Sequence, residues 1–205
     1  MDMNFEEFGK LAIVYKCFSQ GKLFIEFDED LSKLTDGSGM FNGCTSLSSF
    51  TSDLSSLTNG YRMFEDCSSL MSFTSDLNRL GNGECMFSYC KSLSSFTCDL
   101  SRLWNGSLMF CGCTSLSSFT SDLSNLENGR YMFYYCTSLS SFTSNLSNLQ
   151  DGWEMFDGCT SLNEVTIKVD TSKRTDWKTF FTKENLSIRD EATLTIKDID
   201  GNILI

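Results

Sequence analysis

Apolar residues recur along this chain at fixed intervals. Between Met40 and Cys159 one phrase repeats. Cys44, Leu47, Phe50, Leu54, Leu57, Met63 and Phe64 are its apolar positions, and Ser, Thr, Asn, Asp and Gly fill most of the gaps. The Met-Phe pair returns at 40–41, 63–64, 86–87, 109–110, 132–133 and 155–156, a strict period of 23 residues. Cysteine keeps step at Cys44, Cys67, Cys90, Cys113, Cys136 and Cys159. A fixed period of this length marks a solenoid, whose units bury their apolar faces only against one another.

Side-chain period predicts the elements of each unit. Residues 49–53 alternate and are rich in hydroxyls, which suits one short parallel strand with Phe50 and Ser52 inward and Ser49, Thr51 and Asp53 outward. Leu47, Leu54 and Leu57 complete the lining. The Asn-Gly pairs at 59–60, 82–83, 105–106 and 128–129, with Asp151-Gly152, read as turns. Residues 61–66 read as about one helical turn that buries Met63 and Phe64. Stacking then sets like on like. Phe27, Phe50, Phe73, Phe96, Phe119 and Phe142 form one column ending in Val165, and Phe41, Phe64, Phe87, Phe110, Phe133 and Phe156 form a second. A buried aromatic contributes roughly 1.5–3 kcal/mol, whereas ordering costs about 1.5 kcal/mol per residue. A single unit therefore loses to its own entropy, and shared interfaces decide stability.

The ends depart from the phrase. Phe5, Phe8, Leu11, Ala12, Tyr15 and Phe18 share one helical stripe, predicting an N-terminal capping helix over 1–20. A degenerate first unit follows through Gly21, Phe24, Phe27, Asp30, Leu31, Leu34 and Gly37. Beyond Cys159, Leu162, Val165, Ile167 and Val169 predict a longer last strand, residues 175–181 a short helix, and 192–197 with 203–205 a hairpin about Asp200-Gly201-Asn202. The expected fold is an α/β repeat solenoid with one short parallel strand per unit. Residues 1–20 form its N-terminal cap, 21–167 the solenoid and 168–205 a helix-plus-hairpin C-terminal cap.

Composition narrows the function. The net charge of −11 argues against a nucleic-acid partner held through phosphates. No apolar run is long enough to span a bilayer. The first residues carry acids where a secretory signal carries bases, so no signal peptide is visible, and localisation stays open. Histidine is absent, which removes Ser-His and Cys-His couples and imidazole metal sites. No catalytic set, metal site or cofactor is expected, and the protein reads as a non-enzyme. The column cysteines, with parallel Cβ vectors, read as reduced and buried. Cys85, Cys98 and Cys111 lie off the column, and a zinc site from Cys111 and Cys113 would need further thiolates. The recurrent Asp30, Asp53, Asp76, Asp99 and Asp122 read as acceptors for nearby backbone N–H groups, with a cation site as the alternative. The columns of Ser49, Thr51 and their equivalents read as a solvated face, with ice or a glycan as the alternative.

Against this regular frame, variation gathers beside the Asn-Gly pairs and just before the cysteines, and much of it is aromatic. Tyr61, Tyr89, Trp104, Tyr131, Tyr134, Tyr135 and Trp153 are the candidate binding residues, because Tyr and Trp supply contact area at low entropy cost. Unconstrained drift of a surface would produce the same variation.

The motifs Cys-x-x-Leu-x-x-Phe (from Cys44) and Gly-x-x-Met-Phe-x-x-Cys (from Gly60) resemble the BspA-like, Treponema pallidum-type leucine-rich repeat. That family also has a 23-residue unit, with Cys-x-x-Leu-x-x-Ile early and Ile-Gly-x-x-Ala-Phe late. The resemblance covers roughly residues 21–167. Asp53 stands where the family has Pro, Ser52 where it has an aliphatic, and Met63 where it has Ala. The resemblance implies a leucine-rich-repeat arc and a surface adhesin or binding scaffold for a protein or carbohydrate ligand, and similar arrays occur in phage proteins. The alternative is a structural component of a larger particle such as a virion. The C-terminal cap, which offers a strand edge, is the expected contact for any homo-oligomer.

Overall fold

A computed structural model describes residues 30–205. The expected N-terminal helix, with Phe24 and Phe27, lies outside the described residues. From Asp30 onward the chain winds as a repeat solenoid whose coils meet along parallel ladders. The strands are β1 (Ser49–Phe50), β2 (Ser72–Phe73), β3 (Ser118–Phe119), β4 (Ser141–Asn145), β5 (Glu164–Val169) and β6 (Thr193–Asp198). A single helical turn, α1 (Trp177–Phe180), lies between the last two. β1 pairs with β2, and β3-β4-β5-β6 make a four-stranded sheet, every pairing parallel. The register is the sequence period itself, Ser49 opposite Ser72 and Phe142 opposite Val165. Phe96 joins by one bridge to Phe119.

The spine is dry. Leu54, Leu57, Met63, Phe64 and their equivalents in the following coils are fully buried. Rings within each phenylalanine column lie nearly parallel, as for Phe64 and Phe87 (5.5 Å, 2°) and Phe50 and Phe73 (5.8 Å, 8°). The columns meet edge to face, as for Phe96 and Phe110 at 4.8 Å and 69°. Both geometries suit the ring quadrupole and contribute about 0.5–1.5 kcal/mol per pair beyond area burial.

Polar columns run beside the rings. The Cys67, Cys90, Cys113, Cys136 and Cys159 thiols each donate to the carbonyl of a phenylalanine one coil back, Cys113 Sγ to Phe87 O at 3.1 Å. These five thiols are free, as expected, but each also supplies a hydrogen bond that the reading as plain hydrophobes omitted. Cys44 departs from the reduced ladder: it is disulfide-bonded. Ser75, Ser121 and Ser144 hydroxyls donate to the Ser52, Cys98 and Ser121 carbonyls of the preceding coil, which satisfies inward hydroxyls where an aliphatic would otherwise pack.

Two local expectations are corrected. The Asn-Gly pairs, read as turns, are ladder positions at their asparagine, and the turn begins only at the glycine. Asp36, Asn59, Asn82, Asn105, Asn128 and Asp151 form a second parallel ladder. Their amides bond along it, Asn82 Nδ2 to Asn59 Oδ1 at 3.0 Å and Asn105 Nδ2 to Asn82 Oδ1 at 3.1 Å. Glycine follows because the next coil presses there: a Cβ on Gly60 would meet Met86 Sδ at 2.7 Å. The Met-Phe stretch does not form a helical turn. Alternate residues close tight turns (Met63 N–H to Gly60 O, 3.0 Å; Cys67 N–H to Phe64 O, 3.1 Å). Those between donate to the next coil: Gly60 to Asn82, Arg62 to Glu84, Phe64 to Met86 and Asp66 to Ser88, at 2.8–3.0 Å. The α component of the α/β expectation is thereby reduced, among the described residues, to α1.

The C-terminal segment closes the stack differently. Phe156 N–H donates to Leu186 O at 3.1 Å, so Leu186 stands in the methionine column. β6 extends the parallel sheet, with Ile167 opposite Ile196, and turns back about Asp200-Gly201-Asn202 as the expected hairpin: Lys197 bridges Ile203 antiparallel, and the Ile196 and Asp198 N–H groups donate to Ile205 O (3.0 Å) and Asn202 O (2.9 Å). Arg174 lies over the Phe180 ring at 4.0 Å and donates to the Leu149 and Ser147 carbonyls. Arg189 donates likewise to the Thr160 carbonyl.

Candidate functional site

The turn segment sets the outward side chains through its backbone. The second residue after the ladder glycine and the residue before each cysteine adopt left-handed φ: Arg62 (54°), Asp66 (59°), Tyr89 (58°), Tyr131 (56°) and Tyr135 (56°) among them. An L residue held there costs on the order of 1–2 kcal/mol. Gly43, Gly112 and Gly158 occupy the same pre-cysteine position without that cost. These glycines were the sequence signal for the left-handed turn.

The structure places the seven aromatic candidates on this side in unequal groupings. Tyr131, Tyr134 and Tyr135 touch in series, at 5.3 Å and 90° and then 4.6 Å and 63°. Trp153 follows on the next coil, its carbonyl accepting the Tyr131 N–H at 3.0 Å, with its indole half exposed (53%). Tyr89 and Tyr135 share one column, each ring lying on the pre-cysteine glycine of the next coil: a Cβ on Gly112 would be 2.7 Å from the Tyr89 ring, and one on Gly158 would be 2.9 Å from that of Tyr135. Trp104 lies on Gly81, ahead of the asparagine ladder, and is 51% exposed. Tyr61 is half buried beside the Arg62 guanidinium (5.2 Å), as Tyr131 is beside Arg130 (5.2 Å). Among the described residues no ring contact joins Tyr61, Tyr89 or Trp104 to the tyrosine cluster.

Partial burial, followed by the nearby Tyr135 and Asp157, raises the Tyr134 phenol, and the neighbouring Cys111 raises that of Tyr89, so both stay protonated at neutral pH. Burial pushes the Cys67 and Cys159 thiols from 9.0 to about 12, and Cys85 and Cys98 to about 11. A thiol so raised is a poor nucleophile and metal ligand. No group of three or more metal-binding side chains occurs among the described residues, and Cys113 is engaged with Phe87 O. The aspartate column does what an Asx turn does: Asp53, Asp76, Asp99 and Asp122 Oδ1 each accept the N–H two residues on, at 2.8–3.0 Å. The strand hydroxyls of Ser49, Thr51 and their equivalents through coil five stay outward.

Sequence reasoning missed a cleft at the end of the regular coils, about 610 Å³, between Asp157-Gly158 and the segment bearing Lys183, Glu184, Arg189 and Asp190. Its only signal was the loss of the Met-Phe phrase after Phe156.

No curated protein matches the chain. A leucine-rich repeat protein from Bacteroides ovatus ATCC 8483, of known crystal structure, is similar at 17% identity and a TM-score of 0.26, over 81% of this chain. The chain spans 64% of that protein's length, and a likeness so loose bears no weight. The family model of the BspA type leucine-rich repeat region matches with six copies in two overlapping stretches, residues 12–103 and 72–187. Those stretches take in well over half of the residues, with the cysteine, methionine and phenylalanine columns inside them: the chain belongs to the BspA-type leucine-rich-repeat family.

Proposed function

We propose that the protein is a non-catalytic recognition scaffold, an adhesin-like or receptor-binding module for a protein or carbohydrate ligand. Tyr61, Tyr89, Trp104, Tyr131, Tyr134, Tyr135 and Trp153 supply its contacts. The observation that carries this reading is a contrast in exposure. Tyr89, Trp104, Tyr135 and Trp153 stand 46–53% exposed on coils whose interior columns are fully buried. Large rings on a rigid frame give contact area at little entropic cost, the logic of paratopes. A binding screen over proteins and glycans tests it. Alanine at Trp104, Tyr131 and Trp153 is expected to weaken the found ligand by about tenfold or more, the mark of a hot spot. Unchanged affinity in all three rejects the aromatic surface.

A second reading, assembly into an oligomer or particle, is favoured by one observation. Ile199, Ile203 and Ile205 are 55–71% exposed beside β6, the last strand of the sheet. Sedimentation that gives a monomer at all concentrations removes it.

A further inference from the structure

The hydrogen-bond ladder of the coils ends unevenly, and the cleft lies where it ends. The residue before each cysteine donates its N–H to the following coil: Gly43 to Glu65, Asp66 to Ser88, Tyr89 to Cys111, Gly112 to Tyr134 and Tyr135 to Asp157, at 2.7–2.8 Å. Gly158 is next in this series, and its N–H finds no acceptor among the described residues. The reason is local. After Phe156 meets Leu186, the chain through Ser187 (φ 53°) leaves the repeat path and swings away from Gly158.

The cleft so formed has a rim of mixed sign. Asp157, Glu184 and Asp190 carry carboxylates, and Lys183 and Arg189 carry cations. The Lys183 ammonium donates to the Asp190 carbonyl (2.6 Å), and no carboxylate lies within ion-pair distance of it among the described residues. The Tyr135 ring, half exposed, lies on the cleft residue Gly158, with Tyr134 against it. An anionic ligand would meet three carboxylates here, and a cationic one would meet two bases. A neutral hydroxyl both donates and accepts, so it pairs with either sign and with the open Gly158 N–H. A ring with several hydroxyls and one C–H face also matches a tyrosine platform, and a cleft of this volume has the size of small-ligand sites.

We infer that the cleft between Gly158 and Lys183 is a subsite for a neutral sugar ring, stacked on Tyr135 and held by the Gly158 amide, the Asp157 carboxylate and the Lys183 ammonium. This rests on the recognition reading above and narrows it to a saccharide at one end of the solenoid.

The test is amide chemical-shift titration with N,N′,N″-triacetylchitotriose and maltotriose, with trigalacturonate and the de-N-acetylated chitosan trimer as charged comparators. A neutral trisaccharide is expected to shift the Gly158 amide and neighbouring signals with a Kd on the order of 1 mM. Lys183→Ala and Tyr135→Ala are expected to weaken it about five- to tenfold, while Arg102→Ala, on an exposed loop elsewhere, leaves it unchanged. Asp157→Asn, which keeps the shape and removes the charge, is expected to weaken it less than Lys183→Ala does. Tighter binding of either charged trimer overturns the inference, as does an unshifted Gly158 with all four probes. Shifts confined to Trp104 or Trp153 overturn the cleft while leaving the aromatic surface standing, so the two failures are distinct.

Discussion

The coils through Gly152 and the segment beyond Leu162 meet in one four-stranded sheet, β3-β4-β5-β6, yet they close their edges by different means. In the coils, alternate backbone donors of the turn segment have their acceptors one period later, and each methionine fills the space over the preceding glycine. At the boundary only one member of that set continues. Phe156 finds Leu186, and Leu186 lies over Gly152 as Met86 lies over Gly60. Gly152, Glu154 and Gly158, whose counterparts all donate forward, have no such partner among the described residues. Strand pairing survives a longer excursion, since β5 and β6 stay in register with 29 residues between partners instead of 23. Side-chain columns propagate only while the spacing is kept; a strand ladder needs only an extended segment of suitable pattern. The surface left where the columns stop holds the cleft.

The largest test of this contrast is alkaline pH. The buried thiols titrate higher in the native coils than in the unfolded chain, where the ordinary value is 9.0, and Cys67 and Cys159 reach about 12. Their stabilisation is therefore intact below pH 9 and is lost as the pH climbs from 9 toward 12. Circular dichroism across that window is expected to show cooperative unfolding of the coils. A fold indifferent to pH 11.5 would mean that the thiols are not in a dry column.

Next in size is a pair of truncations. Phe110→Ala removes a fully buried ring that touches four others and is expected to cost about 3–5 kcal/mol by denaturant titration. Phe180→Ala, partly buried in the closing segment, is expected to cost less than half of that. Equal costs would erase the distinction between spine and closure.

The smallest effects probe the left-handed turn. Gly112→Ala places a Cβ at φ 69° and 2.7 Å from the Tyr89 ring, and is expected to destabilise by roughly 1–3 kcal/mol. Asp66→Gly at the equivalent position is expected to be neutral or to stabilise by up to about 1 kcal/mol, because it relieves an L residue at φ 59°. Opposite signs at two sites of the same column, two coils apart, would show that this left-handed position favours glycine.

Much of the spine was legible because its residues repeat in kind as well as in spacing. Phe50, Met63 and Cys67 each declare a column, and the aspartates declare an Asx turn. The asparagine ladder was not legible, because Asn-Gly is equally a turn dipeptide and nothing local reveals that Met86 presses on Gly60. The left-handed positions were half visible in Gly43, Gly112 and Gly158, and hidden where Asp66, Tyr89 and Tyr135 accept the strain. The strand, helical turn and last strand of the closing segment were legible, but the place of Leu186 in the methionine column was not, since it replaces methionine at a new spacing and no cysteine follows. For the same reason the aromatic candidates could be named from variation alone, while Asp157, Lys183 and the open Gly158 amide needed coordinates.

Native-state hydrogen exchange resolved by residue addresses the central claim, that the coil-to-coil ladders run unbroken to Tyr135 and stop at Gly158. The Phe64, Phe87, Phe110 and Phe133 amides, bonded to the next methionine at 2.8–3.0 Å, are expected to exchange only by global unfolding, with Tyr135 among the protected set. Gly152, Glu154 and Gly158 are expected to exchange many times faster, with Phe156 between them protected. Protection of Gly158 equal to that of Tyr135 would contradict the account.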